Sequence, residues 1–80
     1  MDFSEALVRL KIGHFLQRAG WNGTGLKIAI QRPDVHSANS LPYIYLLYPV
    51  GSTAYPKGAR VPWLASQTDL MANDWRVVNA

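Results

Sequence analysis

The segment that most constrains the fold is residues 43–48, YIYLLY, in which every side chain is aromatic or aliphatic. A strand with one face in water alternates apolar and polar residues, so this segment predicts a strand that is covered on both faces. A solvent-facing version would invite aggregation. We therefore expect a helix on one face and another subunit on the other.

The N-terminal residues predict the helix. Asp2 followed three residues later by Glu5 resembles a capping box, and the helix is predicted to end near Gly13. One helical stripe carries the apolar residues Phe3, Ala6, Leu7 and Leu10.

The rest of the chain predicts short strands, two loops and a second helix. Residues 14–18 and 26–31 are predicted strands around a glycine-rich turn at 19–25, with Leu26, Ile28 and Ile30 facing the core. Residues 32–40 and 49–60 are predicted loops, 61–63 a short extended segment and 74–78 a last strand. Ser66 and Asp69 have the spacing of a capping box that starts a second helix. The predicted fold class is α+β, a single domain over residues 1–80, with the N-terminal helix packed on a short antiparallel sheet and a second short helix near the C-terminus.

Composition excludes several kinds of protein. The chain has no cysteine, which removes disulfides and zinc–thiolate sites and suits a reducing compartment. It has neither a secretory signal nor an apolar run of the roughly 20 residues that a membrane span needs, so we expect a soluble intracellular protein. Its basic residues are spread singly, without a duplex-binding arm. At 49% hydrophobic and 16% charged residues, 80 residues hold more apolar surface than one small core can hide, which predicts self-association.

Two tryptophan-containing segments, residues 20–23 and 62–75, predict a nucleotide-binding site. Trp21 and Trp63 are the predicted stacking residues, and the start of the second helix offers N–H donors to a phosphate. Hydrogen bonds to base or ribose are assigned to Asn22, Ser66, Gln67 and Asp69, and Gly23 completes the turn beside Trp21.

Each assignment has a structural alternative. Trp21 can hold a turn against the core, Asn22 can adopt a left-handed turn, and Ser66 with Asp69 can act only as a cap. Trp75, between aliphatic neighbours, is predicted to be core. Arg18 and Lys27 flank the glycine-rich turn and could neutralise a pyrophosphate, although a solvated charge is the commoner explanation.

Catalytic and metal-binding patterns are weak by comparison. His14 and His36 are far apart and lack a metal-ligand spacing. Asp69 and Asp74 could form an acid and base pair, but no base-activated nucleophile or phosphate-loop motif accompanies them. We predict no catalytic residue, no metal and no cofactor.

The chain also resembles a known family, the second Thoeris anti-defence family of small phage and prophage proteins. The resemblance covers almost the whole chain, and its last block is long and unusual in composition. It is carried by Phe3-x-x-Ala6-Leu7-x-x-Leu10-Lys11-x-Gly13, Arg18-x-Gly20-Trp21-Asn22-Gly23, Pro42-Tyr43-Ile44 and Pro62-Trp63-x-x-Ser66-Gln67-x-Asp69-Leu70-x-Ala72-x-Asp74-Trp75.

This resemblance implies a non-enzymatic protein that sequesters the cyclic ADP-ribose-type signals made by bacterial immune TIR enzymes. The implied ligand is a small cyclic nucleotide, glycocyclic ADP-ribose or a cyclic dinucleotide, and the implied assembly is a homotetramer with pockets between subunits. The implied location is the cytoplasm of the infected bacterial host, with no membrane or nucleic-acid partner. We expect the loops at 32–41 and 49–60 to influence which signal is preferred.

Two other functions stay open from the residues alone. A phage enzyme that hydrolyses a nucleotide signal would lose turnover when Asp69 or Asp74 is replaced. A single-stranded nucleic-acid-binding module would use the net charge of +3 and the aromatic residues, and its affinity would fall steeply with salt.

Overall fold

A computed structural model describes residues 1–21 and 24–79 of the chain. Two helices and five strands confirm the predicted α+β class. In chain order the elements are α1 (Phe3–Ile12), β1 (Phe15–Arg18), a 3-10 turn (Ala19–Trp21), β2 (Lys27–Gln31), β3 (Tyr43–Val50), β4 (Lys57–Pro62), α2 (Gln67–Met71) and β5 (Trp75–Val78). None of the helices among these residues has the length and apolar character of a membrane-spanning segment.

The five strands form one antiparallel sheet in the order β4-β3-β2-β1-β5. Its last strand in the chain, β5, pairs with its first, β1, so that Arg18 lies opposite Trp75 and Phe15 opposite Val78. This non-local pairing brings the residues after α2 beside the turn that follows β1. The candidate site is built at that junction.

Helix α1 begins and ends where its caps predict. The Asp2 side chain accepts a hydrogen bond of 2.9 Å from the Glu5 N–H, and Gly13 ends the helix with a left-handed φ of +114°. The helix packs on β1, β2 and β5. Between them lies a core of fully or almost fully buried side chains, Ala6, Leu10, Leu16, Ile28 and Trp75.

The two-sided apolar pattern of β3 corresponds to two different environments. Ile44 and Leu46 pack against the core below α1. Tyr45 lies on the opposite face, beside Ala29 of β2; it is only 6% exposed, and the Arg60 guanidinium lies 5.4 Å from its ring centroid. Side chains of the same chain therefore shield part of the face that the sequence assigns to another subunit.

The predicted loop at 49–60 is wrong at both ends. Pro49 and Val50 belong to β3, and residues 57–60 begin β4, which leaves a short turn at 51–56. Proline suggests a loop because it cannot donate to a strand ladder. Here Pro49 lies beyond Leu47, the β3 residue that pairs with Lys27 at the start of β2. The missing Pro49 N–H therefore removes no hydrogen bond between β3 and β2. Residues 32–42 contain no helix or strand, as predicted.

Candidate functional site

An aromatic cluster, defined as Phe3, Trp21, Trp63 and Trp75, forms where α1, the 3-10 turn and β5 meet. Trp75 is its centre and is 2% exposed, which confirms the core prediction. The ring centroid of Trp75 lies 5.3 Å from that of Trp21 and 5.9 Å from that of Trp63, both nearly perpendicular. Both outer tryptophans are half-buried. The two predicted stacking residues thus lie on one cluster although they are far apart in sequence.

The first turn of α2 is held against this cluster. The Trp75 indole N–H donates to the main-chain oxygen of Asp69 at 3.0 Å. Ser66 and Asp69 form the predicted capping box, with the Asp69 N–H donating to Ser66 Oγ at 3.0 Å and the Ser66 N–H to Asp69 Oδ2 at 3.3 Å. The Asp69 N–H is therefore occupied by its cap. Gln67, the first residue of α2, is exposed to solvent.

A two-carboxylate ion pair, which we call the Arg18 bridge, ties these segments together. Arg18 Nη1 lies 2.9 Å from Asp69 Oδ1, and Arg18 Nε lies 2.9 Å from Asp74 Oδ1. The second oxygen of Asp74 accepts the Gly20 N–H at 2.8 Å. All three side chains are largely shielded, with 18%, 14% and 33% of the Arg18, Asp69 and Asp74 side chains exposed.

The Arg18 bridge changes the ionisation of its members. Asp74 accepts hydrogen bonds from the Arg18 side chain and the Gly20 N–H. Both lower the pKa of Asp74 below its ordinary value, and the bond from Arg18 has the larger effect. Hydrogen bonds to Asp74 and Asp69 raise the pKa of Arg18. One cation therefore faces two carboxylates, and the bridge carries a net negative charge at neutral pH. Sequence reasoning missed it because its partners come together only through the pairing of β1 with β5.

Other predicted residues lie apart from the cluster or outside the structure's description. Lys27 lies on the sheet face opposite Ile28, where its Nζ donates to the Asn79 carbonyl at 3.0 Å and lies 5.1 Å from the Phe15 ring centroid. Asn22 and Gly23 lie outside the described residues. Over residues 1–21 and 24–79, no group of three or more His, Asp or Glu side chains has an arrangement that could hold a metal ion.

The described residues form several surface depressions. Two of them, of about 290 and 310 Å³, border residues 30–44, and Tyr43 lines both. The first is also lined by the 32–41 loop, and the second by Arg32. Neither contains a residue of the aromatic cluster or of α2.

Comparison with known proteins identifies relatives over nearly the full chain. Residues 1–78 match the family model described as Tad2-like, the Thoeris anti-defense 2-like domain. A protein of Bacillus phage SP01 named Thoeris anti-defense 2 is 35% identical over 86 aligned residues, which cover 99% of this chain and 96% of the relative.

Proposed function

Because the chain belongs to the Thoeris anti-defence 2 family, we propose that it counters Thoeris defence by sequestering the signalling nucleotide of that system. The proposed ligand is of the cyclic ADP-ribose type, glycocyclic ADP-ribose in the first instance. Binding without turnover lowers the free concentration of the signal, so the downstream effector stays inactive. The proposed place of action is the cytoplasm of the bacterial host.

The observation that carries this proposal is the convergence of the predicted binding residues on Trp75. Trp21 follows β1, Trp63 follows β4, and the capped turn of Ser66 and Asp69 begins α2, yet all of these segments meet around one buried indole. A cyclic ADP-ribose presents an adenine ring and two riboses to such a surface. Stacking of a base on an aromatic side chain contributes about 1–3 kcal/mol. The exposed Gln67 is available to bond a base edge or a sugar hydroxyl.

Sequestration fits the carboxylates better than hydrolysis does. General acid catalysis needs a protonated group near neutral pH. Asp74 has a lowered pKa because it accepts hydrogen bonds from Arg18 and Gly20, so it is ionised there. Asp69 is held by Arg18 and by its own cap. These contacts give both carboxylates structural roles.

We further propose that the active form is a homotetramer with the nucleotide bound between subunits. The Arg18 bridge pairs one cation with two carboxylates, so the positive charge for a pyrophosphate has to come from outside the bridge, and a neighbouring subunit can supply it. Apolar side chains that self-association would cover are also present on the surface, namely Val8, Ile12, Leu64 and Met71, exposed by 55%, 64%, 94% and 78%.

The test is to capture the ligand and identify it. The purified protein is mixed with cyclic ADP-ribose isomers and cyclic dinucleotides, freed of unbound nucleotide and heat-denatured, and the released material is identified by mass spectrometry. Intact nucleotide in near-stoichiometric amount supports sequestration and names the ligand. Degraded nucleotide would replace the proposal with an enzyme, and a protein that releases nothing would refute nucleotide binding.

A further inference from the structure

We propose that Arg18 is a positioning residue of the nucleotide site. Through Asp74 it holds the turn that carries Trp21, and through Asp69 it holds the first turn of α2, but it does not itself bind the phosphates. This inference rests on the proposed function. It assigns a role to a side chain that sequence reasoning had considered only as a phosphate ligand or a solvated charge.

The geometry of the guanidinium supports this role. Its Nε and Nη1 atoms each donate to a different carboxylate at 2.9 Å; Asp69 lies in α2, and Asp74 is the last residue before β5. Asp74 also accepts the N–H of Gly20, the residue before Trp21, at 2.8 Å. Asp69 also caps α2 with Ser66. A continuous set of hydrogen bonds therefore joins the Trp21 turn to the start of α2.

The same contacts make Arg18 a poor phosphate ligand. Both of its carboxylate partners are ionic, and only 18% of its side chain is exposed. A phosphate approaching Arg18 would meet the charges of Asp69 and Asp74 at close range, and these repel it. A lysine could supply the charge at this position but not the planar fork that reaches two carboxylates at once.

Arg76 provides a matched control on the neighbouring strand. It lies next to Trp75 in β5 and opposite Gln17 of β1, and its Nη2 donates to the neutral Gln17 Oε1 at 3.0 Å. Arg76 is exposed and points to the other face of the sheet. Removing its charge changes the net charge of the protein as much as removing that of Arg18, without touching the bridge.

The binding experiment compares Arg18→Met, Arg18→Lys and Arg76→Met with the wild type, using glycocyclic ADP-ribose as the probe in calorimetric titrations at several salt concentrations. We expect Arg18→Met to weaken binding by roughly tenfold, since charge-assisted hydrogen bonds that hold the site are lost. Arg18→Lys should recover only part of the affinity, and Arg76→Met should bind like the wild type. The dependence of affinity on salt should be the same for Arg18→Met and the wild type.

A second measurement needs no ligand. In the wild type the Gly20 amide is bonded to Asp74, so its hydrogen exchange, followed by NMR, should be slower than in Arg18→Met, where Asp74 is released, and in Asp74→Ala, where the acceptor is absent. The circular dichroism that arises from the coupled indoles of Trp21 and Trp75 should weaken in the same variants. Arg76→Met should change neither signal.

The outcomes separate this inference from the proposed function. If the wild type binds the probe and a folded Arg18→Met binds it equally well, the positioning role is refuted. A flatter salt dependence in Arg18→Met would also refute it, because Arg18 would then contact phosphate directly. If the wild type binds no probe, the proposed function fails. The positioning role is tested independently of the probe, because unchanged hydrogen exchange at Gly20 in the variants would refute it. Should Arg18→Met not fold, Arg18→Lys and Asp74→Ala decide the same comparison.

Discussion

Trp21 stands edge-on to Trp75, with ring centroids 5.3 Å apart and an angle of 80° between the ring planes. One ring edge is thus used for packing inside the protein, and the rest of the half-buried ring is the surface that our proposal assigns to base stacking. The same holds for Trp63, which contacts both Trp75 and Phe3. Both residues thus have a packing role in addition to the binding role we propose, and experiments on the site must measure affinity and stability separately.

Replacing Trp21 or Trp63 by alanine should weaken nucleotide binding in an oligomer that remains folded. Each loses a stacking surface for the base, and each also loses an edge contact with Trp75 of about 0.5–1.5 kcal/mol. Affinity is measured by titration calorimetry and the free energy of unfolding by denaturant. Unchanged affinity in both variants would remove these residues from the site.

Replacing Trp75 by alanine should unfold the protein or dissociate its oligomer, because deletion of a buried tryptophan costs about 3–5 kcal/mol. Trp75→Phe should be milder, since a ring remains but the indole N–H that donates to Asp69 is lost. Denaturant unfolding and size-exclusion chromatography follow both variants. Val77→Ala, at a residue of the same strand that is 43% exposed, serves as the control. A stable Trp75→Ala oligomer would contradict the central place given to this residue.

Stability should fall in acid partly through Asp74. The pKa of this carboxyl is lower in the folded protein than its ordinary value of 3.8. The ionised form is therefore favoured by folding, and its contribution is present above that ordinary value and is lost as pH falls through the lower, folded pKa. Thermal midpoints measured from pH 7 down to acid should decrease less steeply for Asp74→Asn than for the wild type. If the thermal midpoints of the two proteins fell in parallel with pH, ionised Asp74 would not contribute to stability.

Two glycines, Gly51 in the β3–β4 turn and Gly58 near the start of β4, should respond differently to alanine. Both have left-handed φ angles, +91° at Gly51 and +80° at Gly58. A Cβ at Gly51 would meet open space, whereas one at Gly58 would lie 3.1 Å from the Tyr48 carbonyl oxygen. Gly51→Ala should cost only the backbone strain of about 1–2 kcal/mol, and Gly58→Ala should cost more. Equal losses in denaturant unfolding would show that the β3 backbone adjusts freely.

Local patterns were enough to predict the helices and several strands. The caps of α1 and α2 depend on residues three positions apart, and the alternation of β2 depends on its immediate neighbours. The interpretation of 49–60 failed because proline and glycine also occur within strands, here Pro49 in β3 and Gly58 in β4. The Arg18 bridge was missed for a different reason: its residues are adjacent only after β5 has paired with β1, and no local spacing encodes that pairing. The roles given to Gln67 and the two outer tryptophans stay predictions.

The pairing of β5 with β1 also has a consequence during synthesis. Leu16, Ile28 and α1 leave the ribosome well before Trp75, yet Trp75 occupies the centre of their shared core. An unfinished chain therefore exposes apolar surface that only a late residue can cover, and contacts of such long sequence separation form slowly. The Trp21 turn and α2 likewise come together only once residue 75 has emerged. Neither the Trp75-centred core nor the proposed nucleotide site can be completed by the first half of the chain, so early release or stalling should yield an aggregation-prone fragment.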